Sequence, residues 1–151
     1  RSLRRLGVAE GDLEDVAQDA FVAVHKHLDD FDPARPVKPW LFGFAYHTAA
    51  NYRRGARRRA QPSGAAVNER HETTPEDELL AMEHRILLRR ALDLLDLEQR
   101  AVIILVDLDD VEPKRVAEAL GVPLPTVYSR IRNGRIKLKQ AIESLRAEVL
   151  T

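Results

Sequence analysis

Apolar positions recur along nearly the whole chain at the three-and-four spacing of helices with one buried stripe, and no convincing strand pattern interrupts them. From Leu13 the stripe runs through Val16, Ala17, Ala20, Phe21, Val24 and Leu28. This predicts a helix that opens at Gly11-Asp12, holds Asp12, Glu14 and Asp15 where the helix dipole favours negative charge, and stops at Phe31-Asp32-Pro33. Pro36 and Pro39 bracket the entry to a second helix, whose inward stripe is expected to be Leu41, Phe44, Ala45, Thr48 and Tyr52. Residues 55–78 have no apolar period and contain Gly55, Pro62, Ser63, Gly64, Thr73, Thr74 and Pro75, so they read as a linker. A long helix then runs through Leu79, Met82, Ile86, Leu87, Arg90 and Leu94, followed by another from Leu97 to Val106 with Ala101, Val102, Leu105 and Val106 inward.

After Leu108-Asp109-Asp110-Val111-Glu112-Pro113 comes a short helix from Lys114 to Leu120, a turn at Gly121-Val122-Pro123 and a last helix from about Leu124. The pattern therefore predicts an all-α chain of two small helical domains joined by a flexible linker, the C-terminal one a helix-turn-helix. Expected boundaries are 1–60 for the first domain, 61–77 for the linker and 78–151 for the second. The start, Arg1-Ser2-Leu3-Arg4-Arg5-Leu6, has no methionine and reads as the tail of an amphipathic helix already under way, so the natural chain is expected to extend further.

Composition narrows the chemistry. The 151 residues include no cysteine, which excludes disulfides and thiolate metal sites. The longest apolar run, Ala101 to Val106, is far short of the ~20 residues of a membrane span, and no signal peptide opens the chain, so a cytoplasmic protein without membrane insertion is expected. Formal net charge is zero, but the charges are segregated. Residues 1–34 hold four basic and eight acidic side chains, residues 35–60 seven basic and none acidic, residues 61–112 five and thirteen, and residues 113–151 eight and three. The two basic blocks meet the local requirement for phosphate binding, and the acidic ones suit a basic protein partner or keep nucleic acid away.

The C-terminal block carries a reading head for duplex DNA. Val116-Ala117-Glu118-Ala119-Leu120-Gly121-Val122, followed by Val127 and Ile131, has the spacing of a helix-turn-helix in which small Ala117 permits close approach and the glycine makes the turn. With Val127, Ile131 and Leu138 inward, Tyr128, Ser129, Arg132 and Asn133 face out. Arg132 suits a guanine edge and Asn133 an adenine edge, while Thr126, Arg130, Arg135 and Lys137 suit phosphates. In the second helix, the face opposite the expected core presents Gly43, His47, Asn51, Arg54 and Arg58, with Trp40 at its start. Flat rings, an amide and guanidinium groups suit single-stranded DNA, and Gly43 is expected to let a backbone come close. Trp40 serves equally well as a core anchor, and Arg57-Arg58-Arg59 as a solvated helix end.

Glu14-Asp15-Val16-Ala17-Gln18-Asp19-Ala20-Phe21, Phe31-Asp32 and Trp40-Leu41-Phe42 with an arginine-rich tail resemble the second conserved region of bacterial sigma factors. Ala91-Leu92 to Arg100, the helix-turn-helix and Thr126-Val127-Tyr128-Ser129-Arg130-Ile131 resemble the fourth. The ordered set, covering nearly the whole chain, is similar to an extracytoplasmic-function (ECF) sigma factor. The resemblance implies a dissociable subunit that binds core RNA polymerase and directs promoter recognition, DNA melting and transcription initiation. It implies core-polymerase contacts at Asp15, Gln18, Asp19, Phe21, Val22, His25 and Lys26. It implies contacts to the unpaired downstream promoter element at Lys38, Trp40, His47, Asn51, Arg53, Arg54, Arg57 and Arg58. Contacts to the duplex upstream element are implied at Lys114, Arg115, Thr126, Tyr128, Ser129, Arg130, Arg132, Asn133, Arg135 and Lys137. An anti-sigma factor is an implied partner, and the acidic stretch from Glu69 to Glu78 would thread a polymerase channel. His47, Asn51, Leu97, Pro123 and Tyr128 depart from the residues common in the family, so promoter sequence does not carry over.

A stand-alone helix-turn-helix regulator of duplex DNA is the alternative, and it leaves the basic helix and the acidic stripe unused. Catalysis is not expected. The five histidines, at 25, 27, 47, 71 and 84, lack partners at metal-ligand spacing, and neither a phosphate loop nor a nucleophile elbow occurs. No cofactor or metal is expected.

Overall fold

The structure, a computed structural model, describes the backbone of residues 1–59 and 75–149 and the side chains of 1–58 and 78–148. Most of the expected linker, including Glu69, lies outside the described residues. Every regular element among the described residues is helical, as the apolar spacing predicts: α1 Ser2–Arg5, α2 Leu13–Lys26, α3 Val37–Arg59, α4 Pro75–Asp93, α5 Leu97–Ile103, α6 Pro113–Leu120 and α7 Leu124–Val149. Short 3-10 turns at Glu10–Asp12 and Leu28–Asp30 flank α2. Helix α3 continues to Arg59 and α4 starts at Pro75, so helix extends into both ends of the stretch read as linker.

Local chemistry accounts for the ends. Pro113 occupies the first turn of α6, where a missing N–H costs nothing, and Gly121 closes the helix in the left-handed region at φ 66°. Val122 N–H then returns to the Ala117 carbonyl at 3.1 Å. Pro123 has no side chain to cap α7, and its carbonyl accepts from Thr126 and Val127 N–H at 3.0 and 3.2 Å. One feature is invisible to apolar spacing. Helix α5 widens into a π turn over Ile104–Leu108, and the chain leaves it through Asp110 at φ 54°.

Three apolar stripes require correction. In α4, Leu79, Met82 and Ile86 are exposed and Leu94 lies beyond the helix, while Ala91 and Leu92 are the buried residues, packed toward α7 and α5. In α2, Val16 is buried, but Phe21 is 71% and Leu28 54% exposed. At 100° per residue Phe21 lies about 140° around the helix from Val16, and Leu28 has already left the helix for the 3-10 turn. In α3 the buried residues are Pro39, Phe42, Gly43 and Ala49, whereas Leu41 is 40% exposed. The reason is that α3 is covered by α2 on one side and by α6 on another, which turns its buried arc away from the one expected.

The two helical units share a core. Leu6, Val8, Val16, Phe42 and Ala49 pack in one cluster with Ala101, Val102, Ile104, Leu105, Val116, Leu120, Val127 and Ile131. Smaller clusters, around Ala91, Ala141 and Leu145 and around Leu92, Leu95 and Ile103, join α4 and α5 to α7. At the seam between the units a Cβ on Gly43 would fall well inside 3.0 Å of the Ala119 carbonyl oxygen. The close backbone approach expected at Gly43 therefore exists, but the neighbour is α6 of the same chain.

Candidate nucleic-acid interface

Burial of Val127 and Ile131 against Val116 and Leu120 fixes the rotation of α7. Gly134 sits where a Cβ would meet Ile103 Cγ1 at 3.0 Å, so α5 and α7 cross closely there. The opposite face of α7 presents Tyr128, Ser129, Arg132 and Asn133 to solvent, as the spacing predicts. Thr126 is half-buried beside them, and Lys114 is exposed at the start of α6.

The flanking cations are not idle. Arg135 pairs with Asp107 at 2.6 Å, Lys137 with Asp96 at 2.7 Å and Arg115 with Glu118 at 3.1 Å. The Lys137 hydrogen bond, reinforced by its charge, holds the Asp96 carboxyl below its usual range, and the Asp107 hydrogen bond raises Arg135. Arg130, expected to suit a phosphate, is drawn inward. Its side chain is only 17% exposed and pairs with Glu98 at 3.1 Å. Tyr46 of α3 lies within reach of both charges, and burial, with Glu98 adding to it, pushes its phenol up.

On α3, Lys38, His47, Asn51, Arg54, Arg57 and Arg58 are exposed; His47, Asn51, Arg54 and Arg58 share a cationic and amide-bearing face with Arg57 at its edge, whereas Lys38 lies about 180° around the helix from His47. Arg54 donates to the Asn51 side-chain carbonyl, which orients that amide. Trp40 is half-buried between Phe31 and Phe44, with ring centroids 4.8 and 4.9 Å away, so it is a wall fixed by packing at the end of this face. It also lines a cleft of about 290 Å³ with Arg35, Arg115, Glu118 and Ala119. Arg53 turns inward instead, with Nη1 buried at the seam. Arg35, which spans the units by pairing with Glu118 at 3.6 Å, was not singled out from the sequence, although it belongs to the basic block counted there.

A third face lies on α2. Asp15, Gln18, Asp19, Phe21, Val22, His25 and Lys26 are all exposed, with Val22 at 54%. Two apolar side chains, Phe21 and Val22, stand in solvent there beside the carboxylates of Asp15 and Asp19. Tyr52 donates to Asp12 Oδ2 at 2.7 Å and ties α3 to the start of α2. Among the described residues no group of histidines and carboxylates could hold a metal ion, and no helix is long and apolar enough to cross a membrane.

Comparison with known proteins gives each unit a counterpart. Residues 1–59 match the family model described as sigma-70 region 2, and residues 85–138 match sigma-70, region 4. The chain is 34% identical over 149 residues to the RNA polymerase sigma factor NccH of Alcaligenes xylosoxydans xylosoxydans, covering 95% of this chain and 80% of that one. It is 30% identical over 150 residues to the ECF RNA polymerase sigma-E factor of Escherichia coli K12, covering 91% and 78%. Among solved structures it is similar to CnrH in complex with the cytosolic domain of CnrY, at a TM-score of 0.62 and 28% identity over 95% of this chain and 79% of that one. The sigma factor RpoE in complex with the anti-sigma factor NepR, from Bartonella quintana, shares the fold at a TM-score of 0.71 and 20% identity, over 94% and 88%.

Proposed function

This chain belongs to the extracytoplasmic-function sigma factors, and from that premise we propose that its three exposed faces divide the work of initiation among core polymerase, unpaired DNA and duplex DNA. As a sigma factor it binds core RNA polymerase and directs promoter recognition and transcription initiation. The α2 face, with Asp15, Gln18, Asp19, Phe21, Val22, His25 and Lys26, docks on core polymerase. Its carboxylates steer encounter with a basic surface, and its apolar side chains supply contact area. The α3 face of His47, Asn51, Arg54, Arg57 and Arg58 grips the unpaired strand, with Trp40 closing one end and Lys38 on the other side of the helix start. The outward face of α7 reads the duplex element, Arg132 and Asn133 at base edges and the surrounding cations, with Lys114 and Arg115, at phosphates.

No chemical fuel is required by this arrangement. Base stacking and backbone neutralisation contribute roughly 1–3 kcal/mol per captured base, which offsets part of the cost of unpairing. The protein acts by positioning another enzyme and works as a cytoplasmic, non-catalytic subunit. Domain boundaries near 1–60 and 78–151 fit this division. The solved relatives held by CnrY and by the anti-sigma factor NepR support a regulator of that class for this chain as well.

The single observation that carries the reading is that three chemically different faces stand exposed on three different helices, so each can be disabled separately. Arg132→Ala with Asn133→Ala is expected to abolish promoter choice while sparing core binding, at about 1–3 kcal/mol for each bidentate hydrogen-bond pair to a base that is removed. Asp15→Arg with Asp19→Arg is expected to do the reverse. Core affinity and promoter-specific run-off, measured on both double variants, check this. Failure of the same activity in both would mean that the faces do not divide the work.

A further inference from the structure

Two large apolar side chains stand on the outward side of α7 with nothing of the core against them. Tyr128 is 56% and Ile136 53% exposed, and neither belongs to a core cluster. The roll of α7 is fixed along this whole stretch. Val127 and Ile131 are buried, Gly134 lies against Ile103, and Leu138 packs on the clusters beneath. Ile136 stands nine residues after Val127, about 180° around the helix, and so points directly away from the buried stripe. Packing within the chain therefore gives no reason for an isoleucine there.

Tyr128, Arg132 and Ile136 follow one another at i, i+4 and i+8, a row in which each side chain is turned about 40° and raised about 6 Å from the last. The guanidinium between the two apolar groups is the one assigned above to a guanine edge. Ser129 and Asn133 lie alongside, both exposed. A docking surface for a protein joins its apolar side chains into one patch. Here they are split by a cation and bordered by a hydroxyl and an amide, a mixture that suits the floor of the major groove. Among the four bases thymine alone shows a methyl group there. Hydroxyl, amide and guanidinium groups do not recognise that methyl, whereas apolar side chains do.

Resting on the promoter reading above, we propose that Tyr128 and Ile136 are specificity residues that read thymine methyl groups in the upstream element, one on each side of the base pair met by Arg132. A rise of about 6 Å between neighbours in the row spans about two base steps of roughly 3.4 Å. The two methyl groups therefore lie about four steps apart, with the Arg132 pair between them. Polar and apolar readout alternate along the row, so the same three side chains fix both the guanine and its distance from the flanking thymines.

Holoenzyme assembled from core polymerase and the full chain first selects its upstream element from a duplex library randomised there, and Arg132→Ala locates the guanine by the preference it loses. Each thymine of the selected duplex is then replaced singly by deoxyuridine, which deletes the methyl group and leaves the hydrogen-bonding edges intact. Two positions that flank the guanine are expected to lose binding about fourfold each, the fold-change of returning one methyl group to water. Tyr128→Ala should abolish the loss at one of them and Ile136→Ala at the other. Far-ultraviolet helicity should be retained in both, since the positions are exposed and alanine favours helix. Deoxyuridine that is silent at every position of a selected duplex, or losses that persist in both variants, overturns the thymine assignment alone and leaves the two side chains to a protein partner. Selection of no sequence at all sinks the promoter reading, and the assignment falls with it.

Discussion

At the residue scale, what distinguishes one basic side chain from another is its acidic neighbour. Arg132 and Asn133 stand in solvent, whereas Arg135 and Lys137 are held by Asp107 and Asp96 and must exchange a carboxylate for a phosphate to bind DNA. Asp107→Asn with Asp96→Asn is therefore expected to strengthen binding to nonspecific duplex DNA. The dependence of log affinity on log salt should steepen by about 1 for each cation newly committed to a phosphate, as filter binding across a salt series would measure. The same pair carries a pH signature. The folded Asp96 carboxyl titrates below its unfolded value, so its contribution is present above the unfolded pKa and fades as pH falls through the lowered one. Lys137→Gln should remove that part of the acid limb in thermal unfolding, a small effect because the pair is exposed. None of this pairing is legible in the sequence, since Asp96 and Asp107 lie far along the chain from their partners.

At the element scale the helix-turn-helix was legible and helix α3 only partly so. Val116, Leu120, Gly121, Val127 and Ile131 announce a helix, a left-handed turn and a clamp because all the partners lie within sixteen residues, and local spacing suffices. Leu120→Ala is expected to cost about 2–5 kcal/mol in denaturant unfolding, the range for truncating a buried leucine. Gly121→Ala should cost about 1 kcal/mol for forcing a side chain into φ 66°. Helix α3 is different, because its buried arc is set by α2 and by α6 together. With a partner so distant in sequence, periodicity places Leu41 inside and Gly43 outside, and packing reverses both. Arg53, a strand contact implied only by the family resemblance, turns toward Gly7 and Arg100, neighbours too distant in sequence for spacing to reveal.

At the scale of the whole molecule, an all-helical pattern and two basic blocks suited to phosphate were legible in the sequence, while the docking role of α2 was implied only by the family resemblance. The joint packing of the two units was not readable, because the seam is made by small residues and by Arg100, which carry no periodic signal. The central claim remains that the three faces together let core polymerase start where it otherwise would not. Run-off transcription over a library of promoter fragments, with purified core polymerase and this protein, tests it most directly. The account predicts discrete starts on a subset of fragments that core polymerase alone does not make and that the Arg132→Ala, Asn133→Ala double variant fails to make. Transcripts identical with and without the protein on every fragment would contradict it.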